Sequence, residues 1–121
     1  MAVTNLTLTA LATYLFKDTS NGNAAVVVKA SAGILYAVYV DNSLNAAISY
    51  VKLFDNAEAV VVGTTVPDWV LEVPASFKGT ILLCVAGAAF AAGLQVATVL
   101  TGGTAGVAPP GAAVTVNVVY T

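Results

Sequence analysis

The chain contains no histidine and no arginine, and its last 43 residues, Gly79 to Thr121, contain no Asp, Glu, Lys or Arg. Without histidine, the side chain that most readily moves protons near neutral pH is gone. Six carboxylates and four lysines (Lys17, Lys29, Lys52 and Lys78) remain. The single cysteine, Cys84, lies in the apolar run Ile81-Leu82-Leu83-Cys84-Val85. No neighbouring cation there lowers its pKa, so it reads as a small core hydrophobe rather than a nucleophile. One cysteine also excludes an intrachain disulfide framework and fits a reducing compartment. Histidine and cysteine clusters that would hold zinc are missing. The run Asp18 to Asn23 has calcium-loop composition, but its glycine stands at the fifth place and Lys29 occupies the twelfth. Gly102-Gly103-Thr104-Ala105-Gly106 lacks the Gly-Lys-Ser/Thr ending of a phosphate loop. The carboxylate pairs Asp55/Glu58 and Asp68/Glu72 read as solvated surface. These absences lead us to expect no enzyme activity, no cofactor and no metal. The lysines are scattered and the net charge is −2, which speaks against nucleic-acid binding. The N-terminus shows no basic region followed by an apolar stretch, hence no secretory signal.

What is present is apolar. Hydrophobic residues make up 59 % of the 121 residues and charged residues 8 %, against about 25 % charged in an average domain. A chain of this length makes one domain with one core. Ten formal charges must serve a folded surface on the order of 6,000 Å². Such a surface is polar through Thr, Ser and Asn, or it is covered by a partner. Thr80 to Thr101 carries no charge and is long enough for a membrane helix. It lacks the aromatic and basic flanks of a span. Gly87 and Gly93 bracket Ala88 to Ala92 as a connection, so the stretch is expected to be a hydrophobic hairpin, not a membrane segment.

Period-two alternation recurs along the chain and predicts strands. It is visible in Leu6 to Ala10, Ala24 to Ala30, Ile34 to Val40, Ile48 to Phe54, Trp69 to Val73, Ile81 to Ala86, Leu94 to Leu100 and Val114 to Tyr120. Both faces of Ile34 to Val40 are apolar, which predicts a central strand. Val51 and Leu53 face one way, and Tyr50, Lys52 and Phe54 the other. Trp69, Leu71 and Val73 are expected inward and Glu72 outward. Turn chemistry separates these runs at Asp18 to Asn23, Ala32-Gly33, Asp41 to Ser43 and Asp55-Asn56. Pro67 and Pro74 bracket the Trp69 strand. Gly102 to Gly111 is the longest loop, and only Asn45 to Ala47 and Ala88 to Ala92 could hold a helical turn. Eight or nine short strands predict an all-β, single-domain antiparallel β-sandwich or jelly roll spanning residues 1–121. Residues 1–28 leave two readings open, an N-terminal arm or an edge hairpin.

Tyr36, Tyr39, Tyr50, Phe54 and Trp69 fall in predicted strands, where aromatic rings serve the core or, less often, a sugar-binding platform. Four segments also share a pattern in order. Lys29 to Tyr36 matches K-x-S-x-G-x-L-Y, and Tyr50 to Ala57 followed by Val62 to Pro67 is similar to Y-x-K-L-Y-N-x-A … V-G-T-x-x-P. Gly87 to Leu94 is similar to G-I-A-F-x-x-G-L, and Val114 to Tyr120 to V-x-V-N-L-x-Y. Together they cover Lys29 to Tyr120 and resemble small β-sandwich virion proteins of tailed bacteriophages. That resemblance implies a capsid decoration or cement protein, assembled in the host cytoplasm and resident in the virion. Its partners would be the major capsid protein or another virion protein, together with its own copies, as a trimer or a dimer. It implies no catalytic residues. Tyr36, Tyr39, Tyr50 and Phe90 are the candidate interface residues. The alternative is a receptor- or glycan-binding β-module of a tail, fibre or knob.

Overall fold

In the computed structural model, which describes residues 14–82 and 86–121, alternation turns directly into layers. Nine strands are formed: β1 (Tyr14–Asn21), β2 (Val26–Lys29), β3 (Gly33–Asp41), β4 (Ser49–Asp55), β5 (Trp69–Val73), β6 (Lys78–Leu82), β7 (Ala88–Phe90), β8 (Leu94–Val99) and β9 (Val114–Tyr120). The described residues contain no helix. The first sheet runs β1-β9-β3-β6, with β7 also pairing β3, and the second runs β2-β8-β4-β5. Every pairing is antiparallel. The chain is a single-domain β-sandwich.

The core lies between the sheets. Val114, Val116 and Val118 of β9 point into it, while Thr115, Asn117 and Val119 face outward and stay partly exposed. Val38 and Val40 of β3, Val51 and Leu53 of β4, and Leu94 and Val96 of β8 close it from both sides. Trp69 and Leu71 pack against its margin and Val73 is fully buried, as the β5 alternation predicts. Each fully buried valine or leucine stabilises the fold by about 1.5–3 kcal/mol relative to an exposed one. At the β1–β9 edge the Tyr14 and Tyr120 rings stack with centroids 5.5 Å apart.

Several sequence expectations are revised. The two uncharged runs do not form a hairpin: β6 belongs to the first sheet and β8 to the second. Ala88 to Ala92 is not a helical turn, because Ala88 to Phe90 pair with β3 and insert Phe90, 1 % exposed, into the core. In β3 the register shifts between Leu35 and Ala37. That shift turns Leu35 inward with Val38 and Val40, which strict alternation would not do. Strand β1 continues through Asp18 to Asn21, where composition predicted a turn. Side chains hold it there: Thr98 Oγ1 donates to Asn21 Oδ1 at 2.7 Å, and Asn21 Nδ2 donates to Asp18 Oδ2 at 3.0 Å. Strands β1 and β2 lie in different sheets. Leu6 to Ala10 and Cys84 lie outside the described residues.

Candidate interaction surfaces

Sheet faces, edges and loops differ in how the few charges are used. The second sheet is covered on both sides at its centre: all of β8 is buried, as are Lys52, Phe54 and their neighbours in β4. The inner cover is the core. The outer cover consists of two uncharged loop segments, residues 59–67 and 100–113.

Lys52 fastens the second loop. It points outward, as its place in β4 predicts, but it is 0 % exposed. Its Nζ donates to the carbonyl oxygens of Gly103 at 2.6 Å, Gly106 at 2.9 Å and Thr104 at 3.4 Å. No carboxylate forms an ion pair with it among the described residues. Burial lowers its pKa below the usual 10.5. Gln95 holds the stretch that leads into the first loop, donating from Nε2 to the carbonyls of Asn56 and Glu58. The loops meet at Gly63, whose φ of +97° suits glycine and where a Cβ would come within 2.3 Å of Val107 Cγ1.

Asp55, read from the sequence as a solvated turn residue, is tied down. Its carboxylate accepts the backbone N–H groups of Ala91, Ala92 and Gly93 at 2.8, 2.8 and 3.3 Å. The Ala91 and Ala92 bonds lower its pKa below 3.8, and the Gly93 bond adds to this against desolvation. Asp68 accepts the Asp55 N–H at 2.7 Å. At the other end of the sandwich a neutral knot closes the core. Buried Asn42 donates to the carbonyls of Ala47 and Pro74, and its Oδ1 accepts from Asn45 and Ser49. Asn45 in turn exchanges two hydrogen bonds with the backbone of Ala112. Each of these polar side chains acts on the fold itself.

The aromatic candidates separate. Tyr39 lies on the open outer face of the first sheet, opposite Asn117 and Thr80. Tyr50 lies on the outer face of the second sheet, where a Cβ on Gly102 would sit 2.9 Å from its ring. Tyr36 is half-buried beside Gly87. Phe90 is in the core and offers no surface. The exposed valines were missed, because a valine reads from the sequence as a core residue: Val27, Val61, Val66, Val70 and Val107 are all exposed, Val66 at 70 %.

The edges are guarded. Among the described residues four of the five edge strands carry charge: Lys17 and Asp18 on β1, Lys29 on β2, Glu72 on β5 and Lys78 on β6. The fifth, β7, is three residues long. Charged or short edges discourage strand addition. A cleft of about 250 Å³ lies between Ser20 to Gly22 and Pro109 to Ala113. The described residues include no group of three or more Cys, Asp or Glu able to hold a metal, and no helix long and apolar enough to cross a membrane. Comparison with protein-family models, with characterised proteins and with solved structures finds no match.

Proposed function

We propose that this chain is a structural subunit of a tailed-phage virion, a capsid decoration or cement protein. It works by burying surface against the major capsid protein or another virion protein, and it carries out no catalysis. The observation that carries this reading is the exterior. Among the described residues ten large apolar side chains are exposed, and six of them, all valines, belong to β2, β5 or the two loops on the second-sheet side. Surfaces of that kind mark contact sites. Lys52, Gln95, Asn42 and Asn45 spend their hydrogen bonds on the fold, which leaves little side-chain chemistry facing outward. The four ordered segments that resemble small β-sandwich virion proteins support the same reading. Guarded edges favour docking by faces and loops over strand addition.

The glycan-binding alternative calls for open aromatic rings beside polar groups. Tyr50 is packed by Gly102 and Tyr36 by Gly87, which leaves Tyr39, beside Asn117 and Thr80, as the one open ring among these candidates; a single ring gives this alternative the weaker support. The test is cosedimentation of the purified protein with empty heads assembled from the major capsid protein of the same phage. Saturable co-pelleting and a higher melting temperature of the heads are expected. A chain that ignores heads and retains a glycan on an array would overturn the proposal.

A further inference from the structure

The two outer faces of the sandwich carry opposite charge. On the first sheet the register aligns Leu15, Val119 and Ala37 in one row, and Lys17, Asn117, Tyr39 and Thr80 in the next. A third row contains Thr115, Asp41 and Lys78, in which Lys78 reaches Asp41 at 3.8 Å. That pair cancels, and Lys17, exposed and without an ion pair among the described residues, leaves the face net positive. The face is apolar at one end, where Leu15 is 54 % exposed. Asn117 Oδ1, in its middle row, has no hydrogen-bond donor.

On the second sheet the outward positions at the margins are Val27, opposite Gln95, and Val70 and Glu72, opposite Lys52 and Tyr50. The loops over the centre add exposed Val61, Val66 and Val107, and exposed Glu58 stands just before the first of them, its carbonyl bonded by the outward Gln95. The only lysine in these outward rows is Lys52, which is buried under the loop, and Lys29 stands opposite the inward Leu94. This side is a valine surface with carboxylates and no exposed cation in its rows.

Contact between two first-sheet faces sets lysine against lysine, and contact between two second-sheet sides sets carboxylate against carboxylate. Only the unlike combination is attractive. We infer that copies of this chain associate head to tail, the outer face of the first sheet of one copy seating on the loop-covered side of the second sheet of the next. Opposed faces of a two-layer sandwich cannot close a small ring, so the contact propagates as an open stack. This differs from the closed trimer or dimer that point-group symmetry favours. Four strands spaced about 4.8 Å apart and about 25 Å long offer on the order of 500 Å² per partner. The total, about 1,000 Å², is at the lower limit for a specific interface, so the association is weak and concentration-dependent.

The inference needs only the chain itself and goes beyond the virion reading; it uses the same valine-bearing side, so stacking and head binding compete. Its test is sedimentation velocity of the purified protein from micromolar to near-millimolar concentration, in dilute buffer and in high salt. The weight-average sedimentation coefficient is expected to rise with concentration and to rise less in salt. Lys17→Glu and Glu72→Lys, both at exposed positions, should each weaken association roughly fivefold to tenfold. An equimolar mixture of the two variants should restore it, a result that misfolding cannot produce. A single species at every concentration, association indifferent to both reversals, or a mixture no better than its components would overturn the inference. A monomer that still binds heads would overturn it and leave the virion reading standing. Stacking without head binding would do the reverse.

Discussion

Replacing Lys52 by methionine probes the most unusual interaction in the molecule. Methionine keeps most of the stem volume and removes the ammonium, so the three carbonyls of Gly103, Thr104 and Gly106 lose their common donor. Two of the bonds are short, at 2.6 and 2.9 Å. Charge-assisted bonds of that kind stabilise by about 1.5–3 kcal/mol each. The desolvation of a buried ammonium offsets several kcal/mol of that sum. The net loss in Lys52→Met is therefore about 1–3 kcal/mol, which for a domain of this size lowers Tm by roughly 5–10 °C. The loss should be local first. Hydrogen exchange should quicken at Leu100 and Gly106, whose amides bond to Ala108 and Gly103 within the loop, before it does in the core strands. A pH effect follows as well. Because burial lowers the Lys52 pKa below 10.5, the unfolded chain retains a proton that the folded chain gives up in the window beneath 10.5. Stability thus rises with pH through that window in the wild type, and this gain is missing in Lys52→Met. Unchanged exchange at Leu100 and Gly106 together with an unchanged Tm would refute the claim that this ammonium holds the loop.

Three further outcomes are expected. Asp55→Asn removes a carboxylate whose pKa is held below 3.8 by the Ala91, Ala92 and Gly93 amides. In the wild type that stabilisation is present above the unfolded pKa and is lost as pH falls through the lowered one, so the variant should be about 1–2 kcal/mol less stable near neutral pH and should converge with it as the carboxylate protonates in acid, read by urea unfolding. Asn42→Ala strands the side chains of Asn45 and Ser49 and the carbonyls of Ala47 and Pro74. It should lose about 3 kcal/mol or more in chemical denaturation, whereas ordinary exposed alanine substitutions stay within about 0.5 kcal/mol. Gly63→Ala places a Cβ against Val107 at positive φ and should cost about 1–3 kcal/mol by thermal melting; adding Val107→Ala should recover the steric part alone.

The sheet-forming pattern was legible wherever one face was apolar and the other was not. Strands β5 and β9 followed their alternation residue by residue, and the apolar character of both faces of β3 predicted its central position. The outward direction of Lys52 was also legible, but its burial was not: that depends on a loop fifty residues further along the chain folding back over β4. Asp55 misled for a similar reason. In sequence it looks like a turn carboxylate, and its partners at Ala91 to Gly93 come near only once both sheets are formed. Leu35 lies on the wrong side of the alternation because a register shift follows it. Phe90, taken for an interface residue, sits between two alanines in an Ala- and Gly-rich stretch whose pairing with β3 local sequence does not encode. The proposed docking surface was not legible because it consists of valines from β2, β5 and two loops that become neighbours only through topology.

Where this chain resides in the assembled particle tests the central claim most directly. On the proposed virion reading, the sandwich should fit repeated density on the outside of the head lattice in an electron-microscopy map of the particle, with its valine-bearing side in contact with another protein. Density of that shape confined to a receptor-binding tail tip, or absent from the particle altogether, would contradict the account.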